Sequence, residues 1–339
     1  MSDLRNSSKY YHVVLQRIVP KAQPAFEDPA MLRRVWGREW GARNDVGTIK
    51  AILLHRPGRE MSVMTPDRYD SELDALIDDA NQWYFRSEKG PDLAAMQAEH
   101  DGLVRVLSEN GVEILYCGCS PIDPDAMFVR DCGMVVPGGV IISRMGTVGR
   151  DIGTGRRGEE QYVMKALVDA GMPVLRTIHG EGLMEGGSFT LLDEKHAAVG
   201  LSYRCNKIGA QQVREVLQYQ GIELIEIPLT GYAMHLDGAI NMVDHQKAII
   251  NVERLPYWFF DKLSELGIQV IMKDHRDPDL GLNCLTLRPG TVIMDADAPY
   301  TAELLEKSGV SVIPIPWKEC KKHGGGIHCA TLPLIRADD

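Results

Sequence analysis

From residue 111 onward the sequence repeats one pattern with a period of roughly fifty residues, a length typical of repeat architectures. Each copy has an apolar strand, a polar or Gly-rich motif, an apolar run, a turn and a second apolar run, and a helical window follows. The first copy is 112–115, motif 128–133, then 134–136 and 140–142 around Pro137-Gly138-Gly139. The second is 174–175, 184–188, 189–192 and 196–199, and the third is 224–227, 235–238, 239–243 and 248–250. The fourth is 270–271, 282–284, 285–287 and 292–294, and the fifth runs from 312–315 through Gly324-Gly325-Gly326-Ile327-His328-Cys329 to 332–334. Helical windows at 159–170, 210–219, 256–266 and 302–307 lie between copies. Units of this size cannot bury their own sheets and must pack on their neighbours. A closed ring leaves no terminal unit exposed, and in a ring equivalent positions converge on the axis. The alignment of copies thus brings Asp131, Glu185, Asp237, Asn283 and Cys329 together, with His235 two residues ahead of Asp237.

The remainder of the chain is less regular. Residues 49–58 read as a first strand ended by Pro57-Gly58. Residues 67–110 are expected to be helical, most clearly at 92–107, with Asn110-Gly111 as the stop. Residues 1–46 carry Pro20, Pro24 and Pro29 and then Trp36 and Trp40, but no period. They are expected to form an N-terminal extension that wraps, or serves as a lid for, a single catalytic domain at 47–339.

A formal net charge of −10 disfavours nucleic acid and anionic membrane, which select basic surfaces. It suits a cationic small molecule. No run reaches the about eighteen apolar residues of a membrane span, and the first residues lack a signal-peptide pattern. Seven scattered cysteines do not form a disulfide framework, so a cytoplasmic location is expected. Cys117-Gly118-Cys119 has no second pair at zinc-site spacing and reads as reduced and structural.

Three carboxylates around one pocket repel unless a cation sits among them. A metal is disfavoured, because one histidine and three acids beside a thiol lack the paired His or Cys ligands usual for zinc. A guanidinium fits better, being planar, always charged and rich in N–H donors. Three glycines before Cys329 let backbone approach a ligand closely there. A cysteine aimed at a guanidinium carbon is a nucleophile on an electrophile, and His235 is placed to move the proton. The plainer reading of each residue alone is packing or an ion pair. Their joint recurrence at the repeat period favours function.

Phe128-Val129-Arg130-Asp131, Glu185-Gly186-Gly187, His235-Leu236-Asp237 and Gly325-Gly326-Ile327-His328-Cys329 resemble, in order, the motifs of the guanidino-group-modifying superfamily of arginine deiminases, dimethylarginine hydrolases and amidinotransferases. The resemblance covers about residues 49–336 and implies an α/β fold, the five-bladed αβ propeller (pentein) of ββαβ repeats. It implies Cys329 as nucleophile, His235 as general acid and base, and Glu185 as the partner of His235 and of substrate nitrogens. Asp131 and Asp237 would hold the guanidinium. Arg204, in 199–204, resembles the arginine that deiminases place on the substrate carboxylate, and Arg130 and Gly326 are further implied substrate contacts. Glu at 185 is similar to the hydrolases, whereas amidinotransferases usually have Asp.

The expectation is a hydrolase of arginine or a close relative, with a covalent thiouronium intermediate on cysteine and no metal or organic cofactor. The alternative is an amidinotransferase, in which an amine replaces water. A non-catalytic binding protein on this fold would lack the catalytic set. Any homo-oligomer would use the outer helices or the extension. The Arg- and Gly-rich stretch 143–160 has no phosphate-loop ending. It reads as a mobile surface loop or as a flap offering Arg150, Arg156 or Arg157 to a substrate carboxylate.

Overall fold

The computed structural model describes residues 7–10, 12–13, 28–78, 83–146, 156–231 and 233–339. Helix α1 (Pro29–Trp36) starts where the Asp28 side chain accepts from the backbone N–H groups of Ala30 and Met31, with proline at the first helical position. After it, Gly41 bridges to Ile335, and Trp40 is buried in the core. Strand β1 (Ile49–Leu54) follows.

The expected helix over 67–110 is only half correct. Strands β2 (Tyr69–Asp70), β3 (Ala75–Asp78) and β4 (Trp83–Phe85) form an antiparallel meander, and helix α2 spans Leu93–Glu109. The meander exists because Leu76, Trp83 and Phe85 bury a small apolar cluster of their own, with Tyr84 turned outward between the last two. In α2 the Asp92 side chain caps Ala95 N at 3.0 Å, and Met96, His100, Leu103 and Leu107 form the buried stripe.

Next come β5 (Glu113–Tyr116), the hairpin β6 (Gly133–Val136) and β7 (Gly139–Ile142), α3 (Glu159–Asp169) and β8 (Val174–Thr177). The series continues with β9 (Phe189–Leu191), β10 (His196–Leu201), α4 (Lys207–Tyr219) and β11 (Glu223–Pro228). Then follow β12 (Ile240–Asp244), β13 (Lys247–Ile250), α5 (Tyr257–Glu265) and β14 (Gln269–Met272). The last are β15 (Leu285–Arg288), β16 (Thr291–Asp295), α6 (Pro299–Lys307), β17 (Ser311–Ile315) and β18 (Leu332–Arg336).

The mixed α/β class and the ββαβ repeat are present. The strand leading each sequence copy belongs, however, to the sheet of the unit before it. Thus β8 pairs in parallel with β7, β11 with β10, β14 with β13 and β17 with β16. The fifth sheet joins the two ends of the domain: β18 runs antiparallel to β1, and β5 runs parallel to it. A glycine with positive φ (Gly111, Gly171, Gly221, Gly267 and Gly309) turns the chain from each of α2–α6 into the next strand.

A short 3₁₀ turn or loop stands just ahead of the first strand of each hairpin, and these segments carry the repeated motifs. The turn Val129–Cys132 touches Gly186–Ser188, which touches Leu236–Gly238, which touches Asp279–Leu282. Asn283 O accepts from His328 N, and Cys329 O accepts from Arg130 N at 3.1 Å, so the circuit of contacts closes. No described helix is long and apolar enough to cross a membrane.

Candidate active site

Closure of that circuit gathers the residues that the repeat aligned. Cys329 is buried, and its sulfur lies 3.3 Å from Asp237 Oδ2 and 3.2 Å from the Asn283 amide nitrogen. Asn283 Oδ1 accepts from Cys329 N at 3.3 Å, so one amide grips both the backbone and the thiol of this residue. Gly326 makes this grip possible: a Cβ there would lie 2.3 Å from Asn283 Oδ1. Asp237 Oδ2 also takes a 2.9 Å hydrogen bond from His328 Nδ1.

His235 Nε2 donates to Glu185 Oε2 at 2.6 Å, and its Nδ1 is 3.4 Å from Asp131 Oδ1. Glu185 is fully buried, and its other oxygen accepts from Gly146 N at 2.7 Å. Gly187 is required at this junction, since a Cβ would stand 2.5 Å from Asp131 Oδ1 and 3.0 Å from His235 Nδ1. Burial works against charge on His235, but Asp131 and Glu185 outweigh it and raise its pKa to about 9. Burial also opposes ionisation of Glu185, yet its bond to charged His235, with Arg204 and Arg156 nearby, lowers its pKa to about 2. Both shifts favour an imidazolium–carboxylate form of the pair. Asp131, Glu185 and His235 offer ligand atoms within 4.8 Å of one another, and the 2.6 Å His235–Glu185 contact already requires a proton between those two groups.

The acids are not a bare negative cluster, which corrects the electrostatic argument from sequence. Arg156 is buried and bonded to Asp131 Oδ2, with Nε and Nη2 on the Glu159 carboxylate at 2.9 and 2.7 Å. It also donates to Phe128 O at 3.0 Å. It is neither a surface-loop residue nor an arm free to reach a substrate carboxylate. Arg157 Nε donates to Met145 O, and Arg150 lies outside the described residues.

Arg204 is also buried, with Nη1 3.4 Å from Glu185 Oε1 and from Gly146 O, and it stands over the Tyr203 ring. Arg130 joins the site through its backbone, and its buried side chain has its pKa lowered by burial despite Asp45 and Asp237 nearby. Asn283 and His328 are the site residues to which sequence reasoning gave no role. Only the repeat position of Asn283 pointed to it.

Asp131 Oδ1 is a buried oxygen with no hydrogen-bond partner, so it retains an acceptor for an incoming N–H group. The Cys329 thiol is pushed well up, first by burial and then by Asp237 and Asp131. This disfavours the thiolate in the free protein, and alkylation by iodoacetamide is expected to speed up from pH 6 to 9 without a plateau. Mass spectrometry of the Cys329 peptide across this range checks it, and a plateau below about pH 7 would mean a thiolate already formed at rest.

Residues 66–336 match the family described as N,N dimethylarginine dimethylhydrolase, eukaryotic. The arginine deiminase of Clostridium perfringens is 22% identical over 89% of this chain and 99% of its own length. The 2-nitroimidazole nitrohydrolase of Mycobacterium sp. is 26% identical over 89% of this chain and 83% of its own length. Among solved structures, dimethylarginine dimethylaminohydrolase (DDAH) from Pseudomonas aeruginosa, a mutant complexed with citrulline, superposes with a TM-score of 0.66 at 23% identity. That match covers 85% of this chain and all of the other. Four motifs in order, one closed circuit of turns and a match over most of the domain agree: the chain belongs to the N,N dimethylarginine dimethylhydrolase family, within the superfamily of guanidino-group-modifying enzymes.

Proposed function

We propose that the chain is a five-bladed αβ-propeller hydrolase of a guanidino compound, arginine or a close relative such as an N-methylated arginine, acting through a covalent intermediate on Cys329. The observation that carries this reading is the short His235–Glu185 hydrogen bond beside the buried Asp131 Oδ1, which accepts no hydrogen bond, in the same pocket as Cys329. A guanidinium would give Asp131 Oδ1 a hydrogen bond beyond its 3.4 Å ion-pair contact with His235 Nδ1. The relative named for 2-nitroimidazole points to another substrate type, but the buried carboxylates Asp131 and Asp237 favour a cation.

In the proposed reaction, the guanidinium binds among Asp131, Glu185 and Asp237, and its charge favours the Cys329 thiolate, whose proton is lost to solvent as substrate binds. The sulfur lone pair forms a bond to the guanidinium carbon, giving a tetrahedral adduct. His235 passes its proton to the leaving nitrogen, the C–N bond breaks, and ammonia or an amine departs, leaving an S-alkyl thiouronium. Neutral His235 then takes a proton from water as the oxygen attacks the same carbon. The C–S bond breaks, the thiolate returns, the hydroxyl gives its proton to solvent and a neutral ureido product leaves. An amine in place of that water would give amidino transfer. Incubation with arginine and with dimethylarginine is expected to yield citrulline with ammonia or dimethylamine. Ornithine formed only when glycine is added would identify a transferase instead.

Arg204 bears on the rest of the substrate. If it meets an α-carboxylate, Arg204→Ala lowers kcat/KM for arginine by about one to three orders of magnitude, since loss of one partner of a buried charge pair costs about 2–5 kcal/mol. Agmatine, which has no carboxylate, loses only what Glu185 loses with its neighbour. Steady-state kinetics on both substrates decide this, and equal losses would confine Arg204 to supporting Glu185.

A further inference from the structure

A second group of reactive side chains lies outside the catalytic residues, where β1 and β5 leave their sheet. These strands run parallel, with Leu54 opposite Tyr116, so His55 and the Cys117-Gly118-Cys119 segment emerge at the same end. The 3₁₀ turn Arg59–Val63 brings Glu60 against them. His55 Nδ1 lies 3.0 Å from the carbonyl oxygen of Cys117. A carbonyl can only accept, so Nδ1 carries the hydrogen, and in the neutral ring the lone pair sits on Nε2. That nitrogen faces Glu60 Oε1 at 3.1 Å. Two acceptors at this distance require a proton or a cation between them. Cys119 Sγ stands 3.6 Å from the other Glu60 oxygen, and all three side chains offer ligand atoms within 4.8 Å of one another. Gly58 N donates to Glu60 Oε1 at 2.6 Å and fixes the carboxylate, while His55 and Glu60 are buried and Cys119 is half-buried.

One imidazole nitrogen, one thiol and one carboxylate are the donor types of a zinc-class ion. A ring held by a carbonyl on its other nitrogen is the usual outer support of a ligating histidine. We propose that His55, Glu60 and Cys119 bind a thiophilic divalent cation of the zinc class, which clips the ends of β1 and β5 to the following turn. Three protein ligands leave a fourth position for water on the exposed side of Cys119. From sequence, Cys117-Gly118-Cys119 looked structural because its partners are not a second cysteine pair but a histidine and a glutamate far upstream. Only the sulfur of Cys119 is used, since Cys117 contributes its carbonyl.

The test uses the full chain carrying Cys329→Ser, so that the catalytic thiol cannot supply the sulfur. Titration with Co²⁺ is expected to give one equivalent with a thiolate-to-cobalt charge-transfer band. Adding Cys119→Ser should abolish the band and weaken Zn²⁺, measured by competition with a chromophoric chelator, at least about tenfold. Cys117→Ser should keep both. Glu60→Gln preserves the size of the side chain and an acceptor for Gly58 N, and is expected to weaken Zn²⁺ by a similar factor. It serves as the second variant should Cys119→Ser fold poorly. In the otherwise unaltered protein, Zn²⁺ should raise Tm, and in Cys119→Ser it should not. Absence of the band in the Cys329→Ser chain, or its survival in Cys119→Ser, overturns the assignment and leaves a proton between His55 and Glu60.

Discussion

With Cys329 as the proposed nucleophile, Cys329→Ser is expected to lower turnover by roughly 10⁴-fold or more while leaving the fold intact. Serine keeps the size of the side chain and can still donate to Asp237, so the grip of Asn283 survives. A hydroxyl is a far weaker acid than a thiol, and the carboxylates that raise the pKa of His235 disfavour its acting as a base toward it. Substrate quenched on the native enzyme should add the mass of an amidino-derived group to the Cys329 peptide. Other thiols serve as internal controls. Burial raises Cys205 and Cys284 to about 12, and Cys132 is pushed well up by burial and then by Glu159. An adduct on any of these, or an active Cys329→Ala variant, would remove Cys329 from the mechanism.

How much of this site could be read from sequence follows from how each part is encoded. Position within a repeat is written in the chain, so Asp131, Glu185, Asp237, Asn283 and Cys329 could be aligned, and the turns that carry them do touch. The sheet to which a leading strand belongs is a matter of pairing across units. For β5, β8, β11, β14 and β17 it emerged only from the register. The meander escaped because its strands are short and its buried residues, Leu76, Trp83 and Phe85, are interleaved with charge and with the Asp70–Asp74 turn. Arg156 escaped for the opposite reason. An Arg-Gly run reads as solvated, and nothing local says that Asp131 and Glu159 will draw that guanidinium into the interior.

Arg156→Ala therefore has a large and diagnostic effect. Burial opposes the charge of this guanidinium, but Glu159 and Asp131 hold it firmly ionised. Truncation strands two buried carboxylates and leaves the carbonyls of Asp125 and Phe128 without these donors. Breaking a buried pair in this way costs about 3–5 kcal/mol, to be read from urea unfolding. Arg156→Lys recovers only part of that, because an ammonium cannot match the two-pronged bond to Glu159. The kinetic outcome separates two roles. If Arg156 positions Asp131, leaving Oδ1 for substrate, kcat/KM falls in the alanine variant even under conditions where it is fully folded. If Arg156 instead acts as an internal guanidinium competing for Asp131, the folded variant binds arginine more tightly than the parent does. The geometry favours positioning, since Arg156 occupies Oδ2 while Oδ1 has no hydrogen-bond partner. A lower KM in folded Arg156→Ala would reverse that conclusion.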